Sequence, residues 1–359
     1  MGKRDKESIG FGVIGLGIGA SHVRAITQTE GAELVALCSL DTARLAAIAE
    51  RNGVKATYTD YREMLRNPDV DVVCIATPSG MHADMVIDCA RAGKHVVCEK
   101  PLDVRLDKIN AAIRACREHG VKLQCIFQRR FEPLHQKIKE TIARGRLGRL
   151  VLADTSLRWY RTQEYYDGGS PPGWRGTWKY DGGGAFMNQG IHAIDLLQWL
   201  VGPITAVFAR TGTYTHHIET EDTGVAVVRF ACGALGTVTC TTSAYPGLTN
   251  DLHIHGENGS ILTSDGRLVA WKIRGEREQE EEQAMLASFG GATGGSAAAD
   301  PMALSLSAHF PQIRDMVLAI KENREPAVPG EEARRAVRVI LALYESARTG
   351  REVEIRHDG

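Results

Sequence analysis

Nearly continuous apolar runs at residues 9–16, 34–39, 71–77, 94–98 and 122–127 punctuate the first third of the chain. The intervening stretches 20–28, 42–51, 81–91 and 106–119 carry apolar residues at helical spacing, and Asp41 stands where a helix N-cap is expected. A strand covered on both faces needs no polar alternate positions, so short unbroken apolar strands between helices predict βαβ units around a parallel, doubly wound sheet.

The pattern changes after about residue 147. Segments 150–160, 204–214, 223–230, 235–243 and 251–255 are longer, β-rich and separated by turn residues, which predicts antiparallel pairing. One apolar helix, 185–201, is embedded among them, and 304–321 and 331–349 read as closing helices. The charged run 274–283 and the Gly/Ala/Ser-rich stretch 290–299 read as a solvated loop with a mobile tip. The expected architecture is an α/β Rossmann doubly wound domain over 1–128. An α+β domain with a large, mainly antiparallel open sheet follows over 129–359, and the C-terminal helices are free to return to the first domain.

Composition narrows the class. The 359 residues carry 43 Lys+Arg against 44 Asp+Glu, a net charge of −1, which argues against a nucleic-acid or anionic-membrane binder. Residues 1–8 are polar, with no apolar core of signal-peptide length, and no apolar run approaches the roughly 18–20 residues that span a bilayer. Eight cysteines occur without a CxxC pair, and Cys74, Cys98 and Cys125 sit inside apolar strands, so a reduced, cytoplasmic protein is expected.

Glycine is the exception, at 38 residues. Gly15-Leu16-Gly17-Ile18-Gly19-Ala20 follows the first strand and opens the first helix. In this G-x-G-x-x-A pattern Gly15 permits the tight turn, Gly17 admits a pyrophosphate close to backbone, and Ala20 keeps helix and strand near each other. Ser39 closes the second strand where a ribose-binding carboxylate is commonest, and no Arg follows to hold a 2′-phosphate. Asp41 either reaches the ribose or only caps its helix. NAD is favoured, with NADP left open.

Three further motifs carry a resemblance: Thr77-Pro78 after the fourth strand, Cys98-Glu99-Lys100-Pro101 after the fifth, and Gly182 to Asp195, reading GGGAFMNQGIHAID. Together they resemble the Gfo/Idh/MocA family (glucose–fructose oxidoreductase, inositol dehydrogenase) along nearly the whole chain, with 273–303 the poorest fit. The resemblance implies a nicotinamide-dependent enzyme acting on a secondary hydroxyl of a sugar or cyclitol. Lys100 matches the family's EKP lysine and His192 its histidine. Imidazole titrates near neutrality and suits a base for the hydroxyl proton, while an ammonium beside the same oxygen favours alkoxide character. His192 as base and Lys100 as electrostatic partner is therefore expected, with the reverse assignment open. Cofactor contacts are expected from Gly15, Gly17, Ile18, Gly19, Ala20, Ser39, Asp41, Thr77, Pro78, His82, Glu99, Lys100, Gln128, Trp174 and Arg175.

Many inositol-dehydrogenase-like members place Asp four residues before the histidine; Asn188 stands here. An amide cannot stabilise imidazolium as a carboxylate does, so His192 takes its orientation elsewhere, and Asp195 is a candidate, or else a surface carboxylate. The MNQGIH form resembles the branch containing UDP-N-acetylglucosaminuronate 3-dehydrogenases and glycoside 3-dehydrogenases. This favours C3 of a pyranoside, with a UDP-sugar or an inositol as alternatives and a catalytically silent NAD(P)-sensing regulator as the rival of another class.

Seven aromatics fall within 159–180 (Trp159, Tyr160, Tyr165, Tyr166, Trp174, Trp178, Tyr180), interleaved with Arg158, Arg161 and Arg175. Aromatic faces stack on sugar rings and Arg supplies forked donors. Substrate contacts are expected from Lys100, Arg129, Arg158, Tyr160, Trp174, Asn188 and His192. His22 reads as a packed helical histidine, and His216, His217, His253 and His255 lack metal-ligand spacing, so no metal is expected. Strands such as 225–228 and 235–238 carry apolar residues toward both faces, which predicts a homodimer or homotetramer through the open sheet face.

Overall fold

The computed structural model describes residues 8–291 and 309–356. Six parallel strands form the first sheet in the order β3-β2-β1-β4-β5-β6: β1 Ile9–Ile14, β2 Ala32–Cys38, β3 Ala56–Tyr58, β4 Val72–Ile75, β5 His95–Cys98 and β6 Leu123–Cys125. Successive residues of the central strands β1, β4 and β5 enter different cores. Val13, Cys74 and Val97 face helix α1 (Gly19–Gln28), while Ile14, Ile75 and Cys98 belong to a second cluster with α4 (His82–Arg91) and α5 (Leu106–Glu118). That double burial is why these strands read as continuous apolar runs. The strand order reverses between β1 and β4, and doubly wound sheets bind their ligands in the crevice at such a point.

The second sheet has eight strands, ordered β13-β12-β11-β7-β10-β9-β8-β14: β7 Leu150–Arg158, β8 Ile204–Gly212, β9 Thr223–Phe230, β10 Leu235–Thr241, β11 Asn250–Gly256, β12 Gly259–Ser264, β13 Arg267–Ile273 and β14 Val353–Glu354. Only the β7–β10 pair is parallel. One face is covered by α8 (Ile191–Val201) and α11 (Gly330–Thr349). The other leaves Phe208, Val225, Val227 and Leu235 exposed.

Several expectations need correction. The apolar stretch 185–201 is not one regular helix: Ala185–Gly190 is a π-helix that leads into α8. The charged run 274–283 is not simply a loop, because α9 spans Glu278–Phe289. Its acidic first turn suits the helix N-terminus, and Glu281 accepts from Trp271 Nε1 at 3.0 Å while pairing with Arg146. Much of 290–299 and residues 304–308 lie outside the described residues. Helix α10 (Phe310–Lys321) returns to the first domain, where Ile313, Met316 and Val317 share a core with Val13 and Val23. The eight cysteines are free thiols, and only Cys232 is exposed.

Candidate active site

Gly15 adopts φ +83°, and a Cβ there would lie 2.5 Å from the Ala76 carbonyl oxygen. A Cβ on Gly17 would meet nothing within 4 Å, so backbone is open to an approaching ligand at this position. The close helix–strand approach is made by Gly19, whose added Cβ would touch Val13 at 3.1 Å, whereas Ala20 is only half-buried. Ile18 caps α1 without a side-chain acceptor; Ala20 N and Ser21 N turn back to the Gly17 and Ile18 oxygens at 3.3 and 2.9 Å, and the positive end of the helix dipole faces the crevice for an anion. Asp41 caps α2 (Thr42–Asn52) by accepting from Arg44 N at 3.0 Å, and Ser39 Oγ accepts from Asp41 N at 3.1 Å.

The ends of β4 and β5 are braced by His82. Its Nδ1 lies 2.7 Å from the Pro101 oxygen and its Nε2 lies 2.8 Å from the Thr77 oxygen. Both ring nitrogens are thus engaged with backbone, and His82 acts as a strut rather than a cofactor ligand. Pro78 is buried beside it. Glu99 is likewise engaged: its Oε1 accepts from His22 Nε2 at 2.9 Å and His309 Nε2 at 2.8 Å, and its Oε2 from Lys100 N at 3.3 Å. These two imidazoles hold the buried carboxyl well below its usual range against the opposing effect of burial. The trio has the residue types of a metal site. Its spacing is that of hydrogen bonds, and His22 Nδ1 is buried without a partner. With Nε2–H donating to Glu99, that Nδ1 is only a lone pair; on a metal-bound imidazole it would be an unsatisfied N–H.

Lys100 leaves β5 toward the second domain, and its Nζ donates to the Asn188 carbonyl oxygen at 2.6 Å. That carbonyl belongs to the π-helix; such wide turns loosen the regular ladder and recur at functional sites. Gly184, just before it, is forced by packing, since a Cβ there would lie 1.7 Å from the Glu221 oxygen. Glu221 in turn accepts from Gly184 N, Phe186 N and Tyr344 Oη at 3.1, 2.8 and 2.9 Å. Four residues beyond Asn188, His192 opens α8 with its ring edge-on to Phe127 at 5.8 Å. Burial, then the charges of Lys100 and Arg129, hold the His192 imidazole well below its ordinary value. Burial also lowers Lys100, opposed by Glu99 and Asp181.

The expected support from Asp195 is absent. Arg130 Nε and Nη2 take both its oxygens, at 2.8 and 2.6 Å, so Asp195 anchors α8 to the segment after β6 instead. Arg158 does not face the site either. It is exposed at the end of β7 and pairs with Asp251 at 2.9 Å, while Tyr160 packs edge-on against Tyr245. Asn188 is fully engaged, donating to Asp181 Oδ1 at 2.6 Å and accepting from Tyr165 and Gln189 at 3.3 and 2.9 Å. Arg175 acts electrostatically on Lys100 and Asp181, and its guanidinium is stacked on both Trp174 and Tyr165 at 4.7 Å. Arg129 Nη1 and Nη2 donate to the Asn250 side-chain oxygen at 2.8 and 2.7 Å. The residue that sequence reasoning missed is Asp181, adjacent to the GGG run and wholly buried.

A nicotinamide dinucleotide fits this crevice: the open backbone at Gly17, the uncapped N-terminus of α1 and a buried, unpartnered Gln128 Oε1 all lie along the strand ends. A family model described as an oxidoreductase family with an NAD-binding Rossmann fold matches residues 9–127, and a GFO/IDH/MocA C-terminal domain model matches 135–262. The WlbA dehydrogenase from Bordetella pertussis, solved with NADH and UDP-GlcNAcA, is 34% identical, with a TM-score of 0.85 over 98% of this chain and 100% of that one. Myo-inositol 2-dehydrogenase of Thermotoga maritima is 28% identical over 96% of this chain and 98% of its own. Levoglucosan dehydrogenase of Pseudarthrobacter phenanthrenivorans is 31% identical over 60% and 61%. With both family models matched in order over the two sheets just described, the chain belongs to the Gfo/Idh/MocA family of NAD-binding oxidoreductases.

Proposed function

We propose that the chain is an NAD-dependent carbohydrate dehydrogenase that oxidises a secondary ring hydroxyl, at C3 of a pyranoside, to the keto sugar. One observation carries this reading: Lys100 crosses from the first domain to the π-turn of the second, donating to Asn188 O at 2.6 Å, four residues before His192. The bound nicotinamide supplies the hydride acceptor. His192, kept neutral by burial and neighbouring cations, takes the hydroxyl proton. The Lys100 ammonium exchanges its bond to Asn188 for the substrate oxygen and stabilises alkoxide character there. Trp174 and Arg175 line the substrate side.

A second reading, a nucleoside-diphosphate sugar as the substrate, is favoured by the 34% identity to WlbA, which was solved with UDP-GlcNAcA. The deciding experiment follows NADH formation from NAD⁺ with inositols, aldoses, methyl glycosides and UDP-GlcNAcA. Turnover of a pyranoside but not of its 3-deoxy analogue supports the proposal; turnover of inositols alone, or of none of these, overturns it.

The exposed apolar face with Val225, Val227 and Leu235 is proposed to pair subunits into a homodimer or homotetramer, and sedimentation equilibrium tests it. Among the described residues no helix is long and apolar enough to cross a membrane. The free, mostly buried thiols suit the cytoplasm, where we place the protein.

A further inference from the structure

Asp181 lies outside every motif that carries the family resemblance, yet it is wholly buried at the centre of the site. Its Oδ2 accepts from Gly176 N at 2.8 Å, which ties down the loop bearing Trp174 and Arg175. Its Oδ1 accepts from Asn188 Nδ2 at 2.6 Å. The Asn188 oxygen is closed off by Tyr165 and Gln189, so that amide cannot turn over without losing three bonds. The same residue's backbone carbonyl receives the Lys100 ammonium.

We propose that Asp181 is a positioning residue for the reaction: its carboxylate locks Asn188, and through it the Lys100 anchor, while providing a negative charge for that ammonium. This role rests on the dehydrogenase reading given above. A carboxylate at this remove acts on Lys100 and Asn188 rather than on His192, and does not compete with the substrate for the ammonium.

The electrostatics agree in sign. Burial raises Asp181, to about 6, and the charges of Lys100 and Arg175 work against that rise. Reciprocally, Asp181 and Glu99 oppose the lowering of Lys100 by burial, whereas Arg175 adds to it. The other ionisable groups facing Lys100 are His192 of α8 and the protonated thiol of Cys125 on β6. A low-dielectric cleft makes the loss of one such countercharge felt at the ammonium.

The test compares wild type, D181N and the swap D181N/N188D in the full chain. Lys100 titration is read by side-chain ¹⁵N NMR, assigned with K100R, and kcat is read with NAD⁺ and UDP-GlcNAcA. D181N places an amide against the Asn188 amide and removes the charge; the Lys100 midpoint moves to lower pH and kcat falls tenfold or more. The swap restores both hydrogen bond and charge, and the midpoint returns to or above that of wild type. An unmoved midpoint in D181N, or a lowered one in the swap, overturns the proposal, and the swap decides alone where D181N does not fold. A shifted midpoint with no turnover in wild type sinks the chosen substrate and leaves the positioning role standing.

Discussion

Arg130 grips Asp195 with two parallel hydrogen bonds, Nε to Oδ2 at 2.8 Å and Nη2 to Oδ1 at 2.6 Å, while its Nη1 reaches Glu332 at 3.1 Å. Both Arg130 and Asp195 are nearly inaccessible to water. The bidentate fork fixes α8 in place. Arg130→Met leaves a buried carboxylate without its partner, and a loss of about 3–5 kcal/mol is expected in urea unfolding. Adding Asp195→Leu recovers most of it, because the cost is that of an orphaned charge. Stability unchanged in the single variant would show that the pair is dispensable.

Lys100→Ala removes the ammonium proposed to stabilise the reacting oxygen while leaving the glycine turn untouched. A fall in kcat of about 10²–10³ is expected, the range typical of removing one donor that stabilises a developing oxyanion. NADH binding followed by fluorescence stays within a factor of a few. Full turnover in the variant would reassign the role.

His192 is held below its ordinary value, so as a base it stays neutral to lower pH than a free imidazole. The acid limb of kcat/KM is expected below pH 6.5 and vanishes in His192→Ala, along with most of the rate. The same shift acts on folding. The unfolded state protonates first as pH drops below about 6.5, so this residue's contribution to stability is lost on acidification. An acid limb that survives in the variant points to Lys100 as the base.

Glu221 titrates in the opposite sense. Burial raises it to about 7, chiefly against the pull of the Phe186 N–H. A raised folded value means full stability below the unfolded value and a decline as pH rises through about 4.5–7, by up to about 3 kcal/mol. Glu221→Gln is expected to flatten that part of the pH–stability curve, while losing some stability throughout because the Gly184 N–H faces an amide nitrogen. Equal slopes in the two proteins would remove Glu221 from the account.

Ser39 stands at the end of β2 with its hydroxyl accepting from Asp41 N. Ser39→Asp adds a carboxylate where the adenosine ribose is proposed to bind. The ratio of kcat/KM for NAD⁺ over NADP⁺ is expected to rise at least tenfold, and no change would place Ser39 away from the ribose.

The first sheet was legible because its strands are buried on both faces and its helices cap predictably; Asp41 does cap α2. The three-residue β3 is too short to carry a period. The run 185–201 looked like one helix because a π-turn has no signature in apolar spacing, and the residue that braces its start, Glu221, lies 37 residues from Gly184 in sequence. Asp195 misled for a related reason. Three residues after His192 it shares a helical face, but a guanidinium 65 residues earlier is the stronger partner. The His22–Glu99–His309 cluster was invisible because nothing in local spacing announces a partner 77 or 210 residues distant. Asp181 lies within seven residues of its partners Gly176 and Asn188, but in a turn where no period predicts a side chain's role.

Helix α10 supplies Ile313, Met316 and Val317 to the core that covers β1 and α1. The nucleotide-binding half is therefore unfinished when the ribosome has made only its own strands: an apolar stripe waits for a segment nearly two hundred residues downstream. Expressed without that helix, residues 1–128 would present the stripe to solvent and aggregate, so the enzyme cannot be divided at the boundary its sheets suggest.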